Sequence, residues 1–73
     1  MLEVRLFATL RQGREKIYHL DAAGFPNGTA VLDHLHIPKE EVAIFLRNGF
    51  HSPTDTALTD GDIVAIFPPT GGG

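Results

Sequence analysis

The sequence predicts an α+β fold, a mixed four- or five-stranded sheet with one short helix packed on one face. Three observations lead there. Strand-like apolar patterns occur at Leu2, Val4 and Leu6, across Val42–Leu46, and again across Ile63–Phe67. Helical spacing of apolar residues occurs in one place, at Ala30, Val31, Leu32 and Leu35. The chain has 73 residues, 42% of them hydrophobic, so it makes one small globule, and a chain of that size buries roughly 60% of its unfolded surface. One helix of two to three turns can then cover only one side of the sheet.

Taken in order, residues 2–8 and 15–20 read as a β-hairpin around the turn Arg11-Gln12-Gly13. Residues 21–28 hold two Gly, a Pro and an Asn and read as loop. Thr29 stands where an N-cap would, and Pro38 ends the helix because the residue before a proline leaves the helical region. Lys39-Glu40-Glu41 is a charged link to the apolar run at 42–46, which Asn48-Gly49 closes with a tight turn. Residues 50–57 form a polar crossing with room for a very short edge strand. Asp60-Gly61 then turns the chain into the last strand, residues 62–67.

Side chains alternate between the two faces of a strand, so parity assigns them. The even set, Leu2, Val4, Leu6, Val42, Ile44, Leu46, Val64 and Ile66, is expected to face the helix residues Val31, Leu32 and Leu35. The odd set then holds Phe7, Ala43, Phe45, Ile63, Ala65 and Phe67 on the uncovered face. That face is either roofed by the loops at 21–28 and 50–57 or is a contact surface, as exposed aromatic clusters usually are. The second expectation makes Phe7, Phe45, Ala65 and Phe67 a partner interface.

Composition excludes several functions. There is no cysteine, hence no disulfide framework, cysteine-bound metal or side-chain persulfide. The formal charge is −3 and the six Lys and Arg form no run, which does not suit nucleic acid. No apolar run has the length of a membrane helix and no signal peptide precedes the first strand, so the expected location is the cytoplasm. His34 and His36 are two apart on a helix and point to different faces, so no metal site is expected. Ser52, His51 and Asp55 share one loop and make no triad.

The C-terminus carries the functional signal. A folded unit at residues 1–67 is followed by an extended tail at 68–73, Pro68-Pro69-Thr70-Gly71-Gly72-Gly73. The proline pair holds the exit extended. Glycines lack a Cβ, so the tail can thread a channel too narrow for side chains. Ordering a tail residue costs roughly 1–2 kcal/mol, less for proline. Burying a Phe side chain returns roughly 1.5–3 kcal/mol. Contacts made by the aromatic face can therefore offset the ordering of the tail.

The run L-x-D-G-D-x-V-A-x-F-P-P-T-G-G-G at residues 58–73 resembles the C-terminal signature of the MoaD/ThiS family of ubiquitin-like sulfur carriers. The opening V-R-L-F-A-T-L-R and the strand end I-F-L-R-N-G are similar to that family too, so the resemblance spans nearly the whole chain. Phe67-Pro68-Pro69 resembles the molybdopterin synthase small subunit (MoaD-like) more than the thiamine carrier. The stretch Ile37–Glu41 is short where the family often carries a second helix.

The resemblance implies a β-grasp fold and a chain that is a carrier, not an enzyme by itself. It would be the small subunit of molybdopterin synthase. It implies that an E1-like adenylating enzyme uses ATP to activate the Gly73 carboxylate, which becomes a thiocarboxylate. The tail residues Pro68, Pro69, Thr70, Gly71 and Gly72 would thread into the large subunit, where sulfur passes to a pterin precursor of the molybdenum or tungsten cofactor. No bound cofactor is implied. A thiamine-type or other sulfur carrier, a ubiquitin-like modifier of lysines, and an interaction domain without tail chemistry remain the alternatives.

Overall fold

In the computed structural model, residues 1–69 are described. The N-terminal alternation becomes β1 (Leu2–Leu6), paired antiparallel with β2 (Ile17–Leu20) as the expected hairpin. Its connection is more ordered than a turn. Ala8 takes a left-handed φ of 53° and opens a 3-10 turn over Ala8–Arg11, which buries Leu10.

The helix α1 spans Gly28–Leu35. Asn27, not Thr29, is its N-cap, and the Asn27 side chain accepts a hydrogen bond from the Ala30 amide at 2.9 Å. Asparagine caps at least as well as threonine, so the helix starts two residues earlier than expected. It ends before Pro38 because His36 adopts a left-handed φ of 58°, with the Ile37 amide donating back to the Leu32 carbonyl. Arg14 completes that cap by donating to the carbonyls of Leu35 and His36. Lys39–Glu41, expected as a link, is a short 3-10 turn.

The remaining strands are β3 (Ile44–Arg47), β4 (Phe50–His51) and β5 (Ile63–Phe67). The sheet has five strands in the order β2-β1-β5-β3-β4. β1 and β5 run parallel at its centre and the other pairs are antiparallel. Asn48 and Gly49 both have positive φ (52° and 86°), the geometry of a two-residue hairpin turn, so the anticipated edge strand β4 forms.

The core between sheet and helix contains Leu2, Val4, Leu6, Val31, Leu32, Leu35, Val64 and Ile66, as parity predicted. Leu10, Leu20, Ile37 and Leu58 join it from the connections. In β3 the predicted faces are exchanged. Phe45 lies in the core at 3% exposure, whereas Ile44 is 36% exposed and Leu46 is half-buried. The cause is register. Phe45 stands opposite Ile66, and directly paired residues share a face, so Phe45 must go where Ile66 goes.

The loops at 21–28 and 50–57 do not roof the open face. They meet beside the start of α1, where Gly28 N–H donates to the Thr56 carbonyl and Leu58 N–H, just past the second loop, donates to the Pro26 carbonyl. Gly28 sits at this junction with no room for a side chain. A Cβ there would lie 2.1 Å from the Thr54 carbonyl oxygen and 2.6 Å from Phe45 Cζ. Alanine gains roughly 1 kcal/mol over glycine in a helix, but overpacking against backbone costs about 1–3 kcal/mol or more. Gly28→Ala is therefore expected to lower the thermal midpoint by several degrees, measured by calorimetry. An unchanged or raised midpoint would contradict the packing described.

Candidate functional site

With α1 on one side, the other side of the sheet is left uncovered. The strand register brings Ile63, Ala65 and Phe67 of β5 together with Ile44 and Leu46 of β3 on that side. Phe7, one residue past β1, stacks on Phe67 with ring centroids 4.2 Å apart and planes 9° from parallel. The Arg11 guanidinium sits 5.2 Å from the centre of the Phe7 ring, and its Nε donates to the Leu6 carbonyl at 2.7 Å.

Of the predicted interface residues, Phe7, Ala65 and Phe67 are half-buried on the open face, and Phe45 is not on it. Ile44, Leu46 and Ile63 stand there instead. Parity predicts the open face for Ile63, and it is exposed there. Ile44 and Leu46 were missed because the β3–β5 register was needed to place them. Arg11, expected in the hairpin turn, closes the 3-10 turn Ala8–Arg11.

Pro68 and Pro69 follow directly on the end of β5. The Phe67 carbonyl accepts from the Ala43 amide at 2.8 Å, and Phe7 N–H donates to the Ile66 carbonyl at 3.2 Å, so β5 is held on both sides at its last residues. Pro68 is half-buried and Pro69 exposed. The predicted tail residues Thr70, Gly71, Gly72 and Gly73 lie outside the described residues.

At the opposite end of β5, Asp62 is a buried acid. Its carboxylate accepts from Arg47 Nε at 2.7 Å, Asn48 Nδ2 at 2.9 Å and the Thr59 amide at 2.9 Å. Asn48 returns the bond by accepting from the Ile63 amide at 2.8 Å. Asp62 thus ties the β3–β4 hairpin to the start of β5. The Arg47 hydrogen bond, aided by Thr59 and Asn48 and opposed by burial, lowers its pKa to about 2 from 3.8.

A depressed folded-state pKa gives stability that is present above the unfolded value and lost as pH falls through the folded one. The stability gap between wild type and Asp62→Asn is therefore expected to hold constant down to about pH 4 and to shrink towards pH 2. Urea titrations at stepped pH read this directly. A gap that ignores pH across that interval would remove the charged role of Asp62.

No helix among the described residues is long and apolar enough to cross a membrane. Among the described residues no cluster of three or more His or acidic side chains is placed to hold a metal ion.

The ThiS family model matches residues 4–73. The chain belongs to the ThiS family. Its fold is the ubiquitin-like β-grasp, as two structures of small archaeal modifier protein 1 (SAMP1) from Haloferax volcanii also indicate. One is 27% identical with a TM-score of 0.73, covering 99% of this chain and 98% of the other. The second is 26% identical with a TM-score of 0.72, covering 94% and 97%. A complex of subunits 1 and 2 of the molybdopterin-converting factor from Helicobacter pylori 26695 matches at 24% identity and a TM-score of 0.66, covering 99% and 97%. At that identity the likeness carries the fold alone. A search of curated proteins found no match. As a ThiS-family chain, this one has the fold of ubiquitin-like sulfur carriers and modifiers, and the open face described above is the side of that fold without a helix.

Proposed function

We propose that this ThiS-family chain is a sulfur carrier charged at Gly73, working in molybdopterin biosynthesis. The observation that carries this reading is that one strand, β5, supplies both the uncovered apolar face and the exit of the tail. A partner that grips Ala65 and Phe67 also fixes where Pro68 points, so docking sets the direction of the glycines. In the reaction the Gly73 carboxylate attacks the α-phosphorus of ATP on an E1-like enzyme and pyrophosphate leaves. A hydrosulfide-level donor then attacks the acyl carbon and AMP departs, giving a thiocarboxylate. That group donates its sulfur on the large subunit of molybdopterin synthase, where the partner supplies the acids and bases.

ATP–pyrophosphate exchange tests the first step. The activating enzyme is expected to exchange pyrophosphate into ATP only when the chain is present. Exchange that does not respond to the chain would sink adenylation at Gly73.

A second reading is favoured by the likeness to small archaeal modifier protein 1 at 27% identity over nearly all of both chains. Under it the same acyl-adenylate passes to a lysine amine, and the product is an isopeptide. The two readings share activation and part at the product, so a lysine-linked adduct at Gly73 selects the second.

A further inference from the structure

We propose that Asn48-Gly49, at the turn of the β3–β4 hairpin, is a site of spontaneous deamidation that ages the folded chain by breaking the hydrogen-bond network of Asp62. The inference involves no partner and holds whichever product Gly73 forms. An asparagine followed by glycine is open to attack by the next backbone nitrogen, because glycine has no Cβ to crowd that nitrogen. The chain has two such pairs, Asn27-Gly28 and Asn48-Gly49. The fold treats them differently.

At Asn27 the reacting groups are held. Gly28 is buried and its N–H donates to the Thr56 carbonyl at 3.0 Å, while Asn27 Oδ1 accepts from the Ala30 amide at 2.9 Å. The Thr54 carbonyl and the Phe45 ring close in on Gly28 as well. Attack there needs the first turn of α1 to open. At the hairpin both residues are exposed, and the Gly49 N–H has no acceptor among the described residues. A Cβ at Gly49 would meet nothing beyond its chain neighbours within 4 Å, so water reaches the amide. The Ile63 amide donates to Asn48 Oδ1 at 2.8 Å, which stabilises the oxyanion that forms when Cγ is attacked. The Asp62 carboxylate holds Nδ2 at 2.9 Å and works the other way, so conversion is slower in the folded chain than in the unfolded one.

In the reaction hydroxide takes the Gly49 amide proton and the nitrogen attacks Asn48 Cγ. The Cγ–Nδ2 bond breaks, and Nδ2 leaves as ammonia with a proton from water. Water then opens the succinimide at either carbonyl, giving an aspartate or an isoaspartate, and no oxidant or reductant is needed. In the aspartate, the amide that donated to Asp62 is a carboxylate, so two negative charges face each other where a hydrogen bond stood. In the isoaspartate, the main chain gains a methylene inside a two-residue turn, which upsets the pairing of Arg47 with Phe50.

The test is a peptide map of the full chain aged in mildly alkaline buffer, with each fragment read for NH replaced by O. Conversion at Asn48 is expected to run at least about tenfold ahead of Asn27, which waits for local opening of α1. In guanidinium chloride the two sites should convert at similar rates, because the fold sets the difference. The converted chain carries one more negative charge and is separated by ion exchange. Its thermal midpoint is expected to lie several degrees below that of the unconverted chain, and Asn48→Asp should reproduce the fall. Equal conversion at the two sites of the folded chain, or Asn27 converting first, overturns the site. So does an intact Asn48 after many half-lives of the denatured chain. A converted chain as stable as the original overturns the effect on the Asp62 network.

Discussion

Phe45→Ala is expected to cost about 3–5 kcal/mol of stability, whereas Phe67→Ala costs far less and instead weakens partner binding. Phe45 is 3% exposed, contacts the space at Gly28 and stands opposite Ile66, so truncation opens a cavity beneath the helix. A domain of this size has roughly 4–11 kcal/mol to lose in all, and the Phe45 variant should be largely unfolded at modest temperature. Phe67 loses mainly its stacking on Phe7, an interaction of roughly 0.5–1.5 kcal/mol beyond area. Denaturant titration reads the first effect and calorimetry with the activating enzyme reads the second. Equal stability losses for the two variants would contradict the division of the sheet into a core face and a docking face.

Adding one alanine after Gly73 is expected to abolish ATP-dependent charging while leaving the thermal midpoint unchanged. The added residue moves the terminal carboxylate by one backbone unit, about 3.3–3.6 Å, and puts a Cβ at the terminal position. A misplacement of about 1 Å can already cost roughly 100-fold when reacting atoms must be aligned, so loss should be essentially complete. The measurement is the rate of AMP release with the extended and the native chain. Charging at an undiminished rate would mean that the terminal carboxylate is not the reacting group.

How far the sequence could be read depended on what each element answers to. The hairpin of β1 and β2, the Asn48-Gly49 turn and the last strand followed local rules, and all three form. The helix cap moved to Asn27 because two capping residues stand two apart and only packing chooses between them. Phe45 could not be placed because a continuous apolar run such as Val42–Leu46 has no alternation to reveal its inner face. Pairing with Ile66 decides it, and that is a long-range fact.

The same holds for the open face. Phe7, Ala65 and Phe67 were legible from parity, but Ile44 and Leu46 required the register of β3. Arg11 required the left-handed turn at Ala8, which nothing about alanine announces. The role of Asp62 is not legible in the sequence because its partners Arg47 and Asn48 are distant along the chain.

The measurement closest to the central claim is the intact mass of the untagged chain after incubation with ATP, the activating enzyme and a sulfur donor, with the C-terminal peptide fragmented. The sulfur-carrier account predicts the mass change of one oxygen replaced by sulfur, carried by Gly73. An unchanged mass, or the same change on any other residue, would contradict it.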